Sequence, residues 1–179
     1  TLQQNLARLE EIEKASLRLV VQALYDFRVT AEQIFLHEND LVQDIGEDIT
    51  REAMDRLGVS RIDHRLFGKI DYKKARYLFH SDFAIKQALF VDSKAEKLEG
   101  RGTATLQMSQ LSMEVRQNRG GQVQIVPGRL PTVIAIGTER FLTTTIFVKY
   151  SYETVEGDDV LRDITIAALP NGMLQNKYN

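Results

Sequence analysis

Apolar residues fall at helical spacing through the first part of the chain and at alternating spacing through the last. Leu2, Leu6, Leu9, Ile12, Val20, Leu24 and Phe27 recur near every third or fourth position with charged residues between them, which predicts an amphipathic helix over residues 2 to about 28. Such a stripe packs on the chain's own core or builds a subunit interface. Thr30, with Gln33 three residues on, has the pattern of a capping box and predicts a second helix through Ile34, Phe35 and Leu36. A third is expected from about Glu47 to Leu57, with Gly58 as its stop.

Strand-like runs follow. Ala88-Leu89-Phe90-Val91 reads as a buried strand, and Ile70-Asp71-Tyr72 as its neighbour. A polar loop is expected from Glu96 to Thr103, then a short helix over Ser109 to Gln117 and a turn at Arg119-Gly120-Gly121. Val123, Ile125 and Val126 form a run ended by Pro127-Gly128. Thr132 to Ile136 and Thr143 to Glu153 read as strands joined near Gly137. In the second, Ile146, Val148, Tyr150 and Tyr152 alternate with Thr145, Phe147, Lys149 and Ser151, as in a half-exposed strand. Glu156-Gly157-Asp158-Asp159 turns the chain into a last strand, Leu161 to Leu169. Helices first and strands after predict an α/β fold, with N-terminal helices flanking a central mixed sheet. We expect one domain, with a helical part over about 1–58 and a sheet-bearing part over about 65–179.

Composition narrows the classes. At 179 residues and 43% hydrophobic content the chain suits one packed core. Zero cysteines rule out disulfides and thiolate metal sites. Neither a signal peptide nor an apolar run of membrane-spanning length is visible, so no membrane partner and a cytoplasmic location are expected. The start at Thr1 and the abrupt end at Asn179 suggest trimmed ends. A net charge of −2 argues against a protein that simply coats nucleic acid, but leaves room for local basic surface. Arg61 with Arg65, then Lys69, Lys73, Lys74 and Arg76, then Arg116, Arg119 and Arg129 are such clusters, or ordinary solvated faces. His37, His64 and His80 are scattered without ligand spacing.

The chemistry concentrates between Lys69 and Lys97. Beyond Val91 the two-residue period sends Asp92 and Lys94 out on one face and Ser93 on the other. If Asp71 lies on the next strand, its carboxylate and that of Asp92 can share a hard divalent cation, with Lys94 beside it. That is the D-x(n)-(D/E)-x-K arrangement of a nuclease, in which lysine orients or deprotonates a water or stabilises charge on phosphate. On spacing alone the same residues also read as exposed charges at strand ends. Ile70 stands where such motifs often carry proline.

Longer stretches add to this spacing. FGKIDYKKARYL and LFVDSKAEK, with EKASLRLVVQAL, GEDIT, TLQMSQLSM, TTTIFVKYSYE and LPNGMLQNKYN in order along the chain, resemble the SfiI-type restriction endonucleases, a branch of the PD-(D/E)xK nuclease superfamily. The resemblance implies a restriction-endonuclease-like sheet and catalysis by Asp71, Asp92 and Lys94. The metal ligands would be Asp71, Asp92 and the Ser93 backbone carbonyl, with Mg²⁺ as the ion and Mn²⁺ able to replace it. Glu47 is a candidate helix carboxylate for the same site, although acids in a first helical turn also serve the dipole. Lys73, Lys74, Lys97, Arg101, Arg116 and Arg119 are candidate DNA contacts, Arg101 as a guanine reader.

The implied function is type II cleavage of double-stranded DNA at an interrupted palindrome, in a bacterial or archaeal cytoplasm. A homodimer would be the minimum and a homotetramer an extension of it. Another nuclease of the superfamily, acting in repair or on junctions, and a non-catalytic DNA-binding or assembly module are the alternatives.

Overall fold

The computed structural model describes residues 2–38, 42–62, 75–99 and 107–178. After a 3₁₀ turn at Leu2–Gln4 comes one continuous helix, α1 (Leu6–His37), whose cap Asn5 accepts a hydrogen bond from the Arg8 N–H at 3.1 Å. The break expected at Thr30 does not occur. No glycine or proline interrupts residues 6–37, and Phe27, Ala31 and Phe35 continue the buried stripe at four-residue spacing, so packing overrides a local capping pattern. Helix α2 (Val42–Arg56) begins before the expected Glu47 and stops at Gly58, whose φ is +69° and whose N–H donates to the Asp55 carbonyl at 2.9 Å.

Among the described residues seven strands follow: β1 (Arg76–His80), β2 (Ile85–Lys97), β3 (Val115–Arg119), β4 (Gln122–Val126), β5 (Val133–Ile136), β6 (Glu139–Val155) and β7 (Asp158–Leu169). The main sheet has the order β1-β2-β6-β5, with β7 also pairing β6. Strands β2 and β6 run parallel and the other pairings are antiparallel, so the sheet is mixed as expected. Strands β3 and β4 form a separate hairpin. A short helix, α3 (Gln175–Tyr178), lies near the end, and its Lys177 and Tyr178 both bond Glu10 of α1.

Several local expectations are corrected. Ser109 to Gln117 is not a helix: Met108–Gln110 is a 3₁₀ turn and Val115–Arg119 is a strand. Gly120 and Gly121, with φ of +59° and +80°, close a tight turn that pairs this strand with β4. The polar loop expected from Glu96 starts later, because β2 continues through Lys97 against β6. Strand β6 is not half-exposed. Every residue from Phe141 to Val148 is buried, since both faces of this central strand are covered.

One face of the sheet packs on the helices. Val20, Leu24, Phe27 and Phe35 of α1, Ile45, Ile49 and Met54 of α2, and Leu89, Ile146, Val148 and Tyr150 of the sheet form this largest core. Burying each large side chain contributes about 1.5–3 kcal/mol. The opposite face carries a smaller cluster of Ile62, Ala75, Ala88, Phe90, Leu130, Ile134 and Phe141. This second cluster ends where Asp92 begins.

Candidate active site

Strand β2 carries its apolar residues to Phe90 and then changes character on one face only. In the parallel register Asp92 stands beside Phe147, Lys94 beside Lys149 and Glu96 beside Ser151. Neighbours at equivalent positions of a parallel pair point to the same side of the sheet. That side therefore presents an acid, a lysine and an acid along β2, with a second lysine on β6. Asp92 is buried at 3% exposure, Lys94 is half-buried, and Glu96 pairs with Lys149 at 2.7 Å. Two-residue spacing anticipated Asp92 and Lys94 on one face and missed Glu96 and Lys149. The acid's signal was its place at the next step of the same period. The lysine's was hidden, because its position depends on pairing with a strand far along the chain.

The other face of β2 is locked to the helices. The Ser93 hydroxyl lies 2.7 Å from the Thr50 hydroxyl of α2, which lies 2.7 Å from the Tyr150 hydroxyl of β6. Burial pushes the Tyr150 phenol up, so it stays protonated and able to donate. Gly46 lets α2 approach this closely: a Cβ there would meet Tyr150 Cδ2 at 3.0 Å and the Ala95 nitrogen at 3.5 Å. The residue between Asp92 and Lys94 is thus held from behind by a buried hydroxyl chain.

The other sequence candidates are placed as follows. Asp71, Lys73, Lys74 and Arg101 lie outside the described residues. Glu47 is exposed on α2, the helix that packs on the Ser93 side of β2, so it does not share the face of Asp92. Lys97 also faces the Ser93 side, with its ammonium 5.9 Å from the Tyr152 ring centre. Arg116 and Arg119 are exposed on the β3–β4 hairpin, and Arg129 is exposed just beyond it. Arg76 is structural: its buried guanidinium pairs with Asp55 and donates to the carbonyls of Val59 at 3.0 Å and Arg51 at 3.1 Å. His80 bonds Gln87 at 2.8 Å within a buried polar network.

Among the described residues no three His, Cys, Asp or Glu side chains gather as a metal cluster. Among the described residues, the positions of β2 and β6 on the Asp92 face offer carboxylate oxygens and no histidine or sulfur. That donor chemistry suits Mg²⁺, Mn²⁺ or Ca²⁺ rather than Zn²⁺. A cation there would still need oxygens beyond Asp92.

A mixed sheet flanked by helices, with an acid-x-lysine strand at its centre, is the architecture of restriction-endonuclease-like nucleases. A TM-score of 0.73 relates the chain to the crystal structure of the restriction endonuclease BglI bound to its DNA recognition sequence, at 18% identity over 98% of this chain and 77% of that one, a likeness of fold. The crystal structure of the tetrameric restriction endonuclease SfiI bound to cognate DNA matches with a TM-score of 0.82 and 32% identity, over 98% of this chain and 70% of that chain. In sequence, the type II restriction enzyme SfiI of Streptomyces fimbriatus is 34% identical over 190 residues, covering 98% of this chain and 70% of its own length. The family model described as type II restriction enzyme SfiI matches residues 19–179. This chain belongs to the SfiI family of type II restriction enzymes, which are site-specific deoxyribonucleases. Enzymes of this type generally depend on a divalent metal. No helix of the described residues is long and apolar enough to cross a membrane.

Proposed function

We propose that this protein cuts both strands of double-stranded DNA at an interrupted palindrome by Mg²⁺-dependent phosphodiester hydrolysis, in a bacterial or archaeal cytoplasm. The single observation that carries the chemistry is the shared face of Asp92 and Lys94 on β2, beside Glu96 and Lys149. Asp71, Asp92 and the Ser93 backbone carbonyl would hold the ion, with Mn²⁺ able to replace Mg²⁺, and Glu47, on the Ser93 side of β2, would stand apart from them. When bound, the ion supplies Lewis acidity and neutralises charge at the phosphate.

The chain's own groups do the rest. Lys94 orients the attacking water and balances negative charge as the P–O bond to the 3′ oxygen breaks. Glu96 holds Lys149 at the edge of the same face, which limits the positive charge beside Lys94. Lys73, Lys74 and Arg101 contact the DNA, Arg101 at a guanine, whereas Lys97 lies on the Ser93 side against Tyr152. The whole of 1–179 acts as one nuclease domain of the PD-(D/E)xK kind. A symmetric site has two scissile bonds and each chain one centre, so two copies related by a two-fold axis are the minimum. Four are proposed here, by likeness to the SfiI tetramer.

Mixed plasmid DNA incubated with the protein and Mg²⁺ should give discrete fragments, and none in excess chelator. Plasmids with two sites should be cut faster than plasmids with one. Cutting in chelator would overturn the metal reading, structure-dependent nicking would overturn the restriction reading, and equal plasmid rates with a dimer mass by light scattering would remove the tetramer.

A further inference from the structure

The β3–β4 hairpin stands apart from the main sheet, its two strands pairing only with each other among the described residues. From Val115 to Thr138 the chain has no acidic residue and carries Arg116, Arg119 and Arg129, in a protein whose net charge is −2. Directly opposed residues of an antiparallel ribbon share a face. Arg116 opposes Ile125 and Asn118 opposes Val123, so these four side chains lie together. The reverse face carries Val115, Gln117 and Val126, which are half-buried at the root of the hairpin. The face of Arg116, Asn118, Val123 and Ile125 is exposed throughout, with Val123 at 67% and Ile125 at 62%.

Two neighbouring branched aliphatics this exposed would be stabilised on being covered by a partner. With two arginines and no acid on the ribbon, that partner is polyanionic and also offers apolar contact. Double-stranded DNA offers both, through its phosphates and the thymine methyl groups of the major groove. The ribbon is also rooted beside the site. Leu130 N–H donates to the Leu111 carbonyl at 2.9 Å, and the Leu130 side chain packs in the cluster of Phe90, two residues before Asp92. The tight turn at Gly120 and Gly121 fixes its register.

We infer that the β3–β4 ribbon enters the major groove of the DNA substrate and reads its sequence, with Arg116 and Asn118 at base edges and Val123 and Ile125 against thymine methyls. The inference rests on the endonuclease reading and adds a recognition element to it. A major groove about 12 Å wide admits a two-stranded ribbon. Arginine matches the guanine O6 and N7 acceptors, and asparagine the adenine N6 and N7 pair. Arg119, at the turn, meets the phosphate backbone.

The test begins by mapping the ends of the wild-type digest. Binding in Ca²⁺ is then measured on a duplex carrying the mapped site and on a random duplex of equal length. Arg116→Ala should lose about 5- to 150-fold in affinity on the mapped site and about twofold or less on the random duplex. N7 methylation of one guanine in the site should block the wild type and make no difference to Arg116→Ala. Val123→Ser combined with Ile125→Ser should weaken the mapped site alone. Equal losses on both duplexes, no loss on either, or a change of oligomer mass in these variants would overturn the inference. Discrete cutting by the wild type together with unchanged variants sinks the ribbon alone; a wild type that cuts no DNA sinks the endonuclease reading and the ribbon with it.

Discussion

The hydroxyl of Thr50 on α2 lies 2.7 Å from the hydroxyl of Ser93, the residue between Asp92 and Lys94. Thr50 therefore braces β2 from the helix side, and we expect it to act on the proposed site as a positioning residue, through the strand. Thr50→Val should leave the buried hydroxyls of Ser93 and Tyr150 without this partner and cost about 1–3 kcal/mol in denaturant unfolding. Cleavage should slow by about tenfold or more at unchanged KM, because small displacements of catalytic groups are expensive. Thr50→Ser should restore both; a kcat unaffected by Thr50→Val would show that the hydroxyl chain serves stability alone.

Loss of the proposed catalytic groups has a different signature. Asp92→Asn and Lys94→Ala should each lower the single-turnover cleavage rate by about 10²–10³-fold or more, with folding intact and DNA binding in Ca²⁺ retained. Near-normal cutting by either variant would remove that residue from the chemistry.

How much of this was legible in the sequence differs from element to element. The stripe of α1 was visible because its period runs unbroken from Leu9 to Phe27. Its continuation past Thr30 was not, because a capping pattern is local and the pull of Ala31 and Phe35 on the core is tertiary. The shared face of Asp92 and Lys94 needed only the period of a strand. Lys149 needed a parallel register between segments far apart in sequence, which no local pattern encodes. Alternation in β6 suggested one wet face, yet threonine and aromatic residues serve equally well in a strand covered on both sides.

Glu13 makes stability depend on pH. Burial raises its pKa from 4.5 to about 7, against hydrogen bonds from the Asn171 N–H at 2.9 Å and the Thr144 hydroxyl at 3.4 Å. Between those values the folded chain keeps a proton that the unfolded chain has released. The contribution therefore falls as pH rises through this window, by about 3 kcal/mol at most. Glu13→Gln should flatten the Tm profile between pH 4.5 and pH 7. A variant with the same slope as the wild type would assign the dependence to other groups.

Gly46→Ala tests the closeness of helix and sheet. Alanine gains about 1 kcal/mol of helix propensity, but its Cβ would press on Tyr150, which is fully buried and tethered to Thr50. Since the ring cannot yield, overpacking of about 1–3 kcal/mol should win and lower the Tm. A raised Tm would mean that Tyr150 has room to move.

The parallel pairing of β2 with β6 also bears on when a new chain becomes dangerous. Positions 87–97 must find positions 142–152, a contact that cannot close until β6 has left the ribosome, whereas α1 and the β6–β7 hairpin can form from nearby residues. The surface carrying Asp92, Lys94 and Lys149 is thus among the last features to assemble. A chain that has not yet formed β6 carries the acid and the lysine of β2 without the neighbouring strand that completes their face.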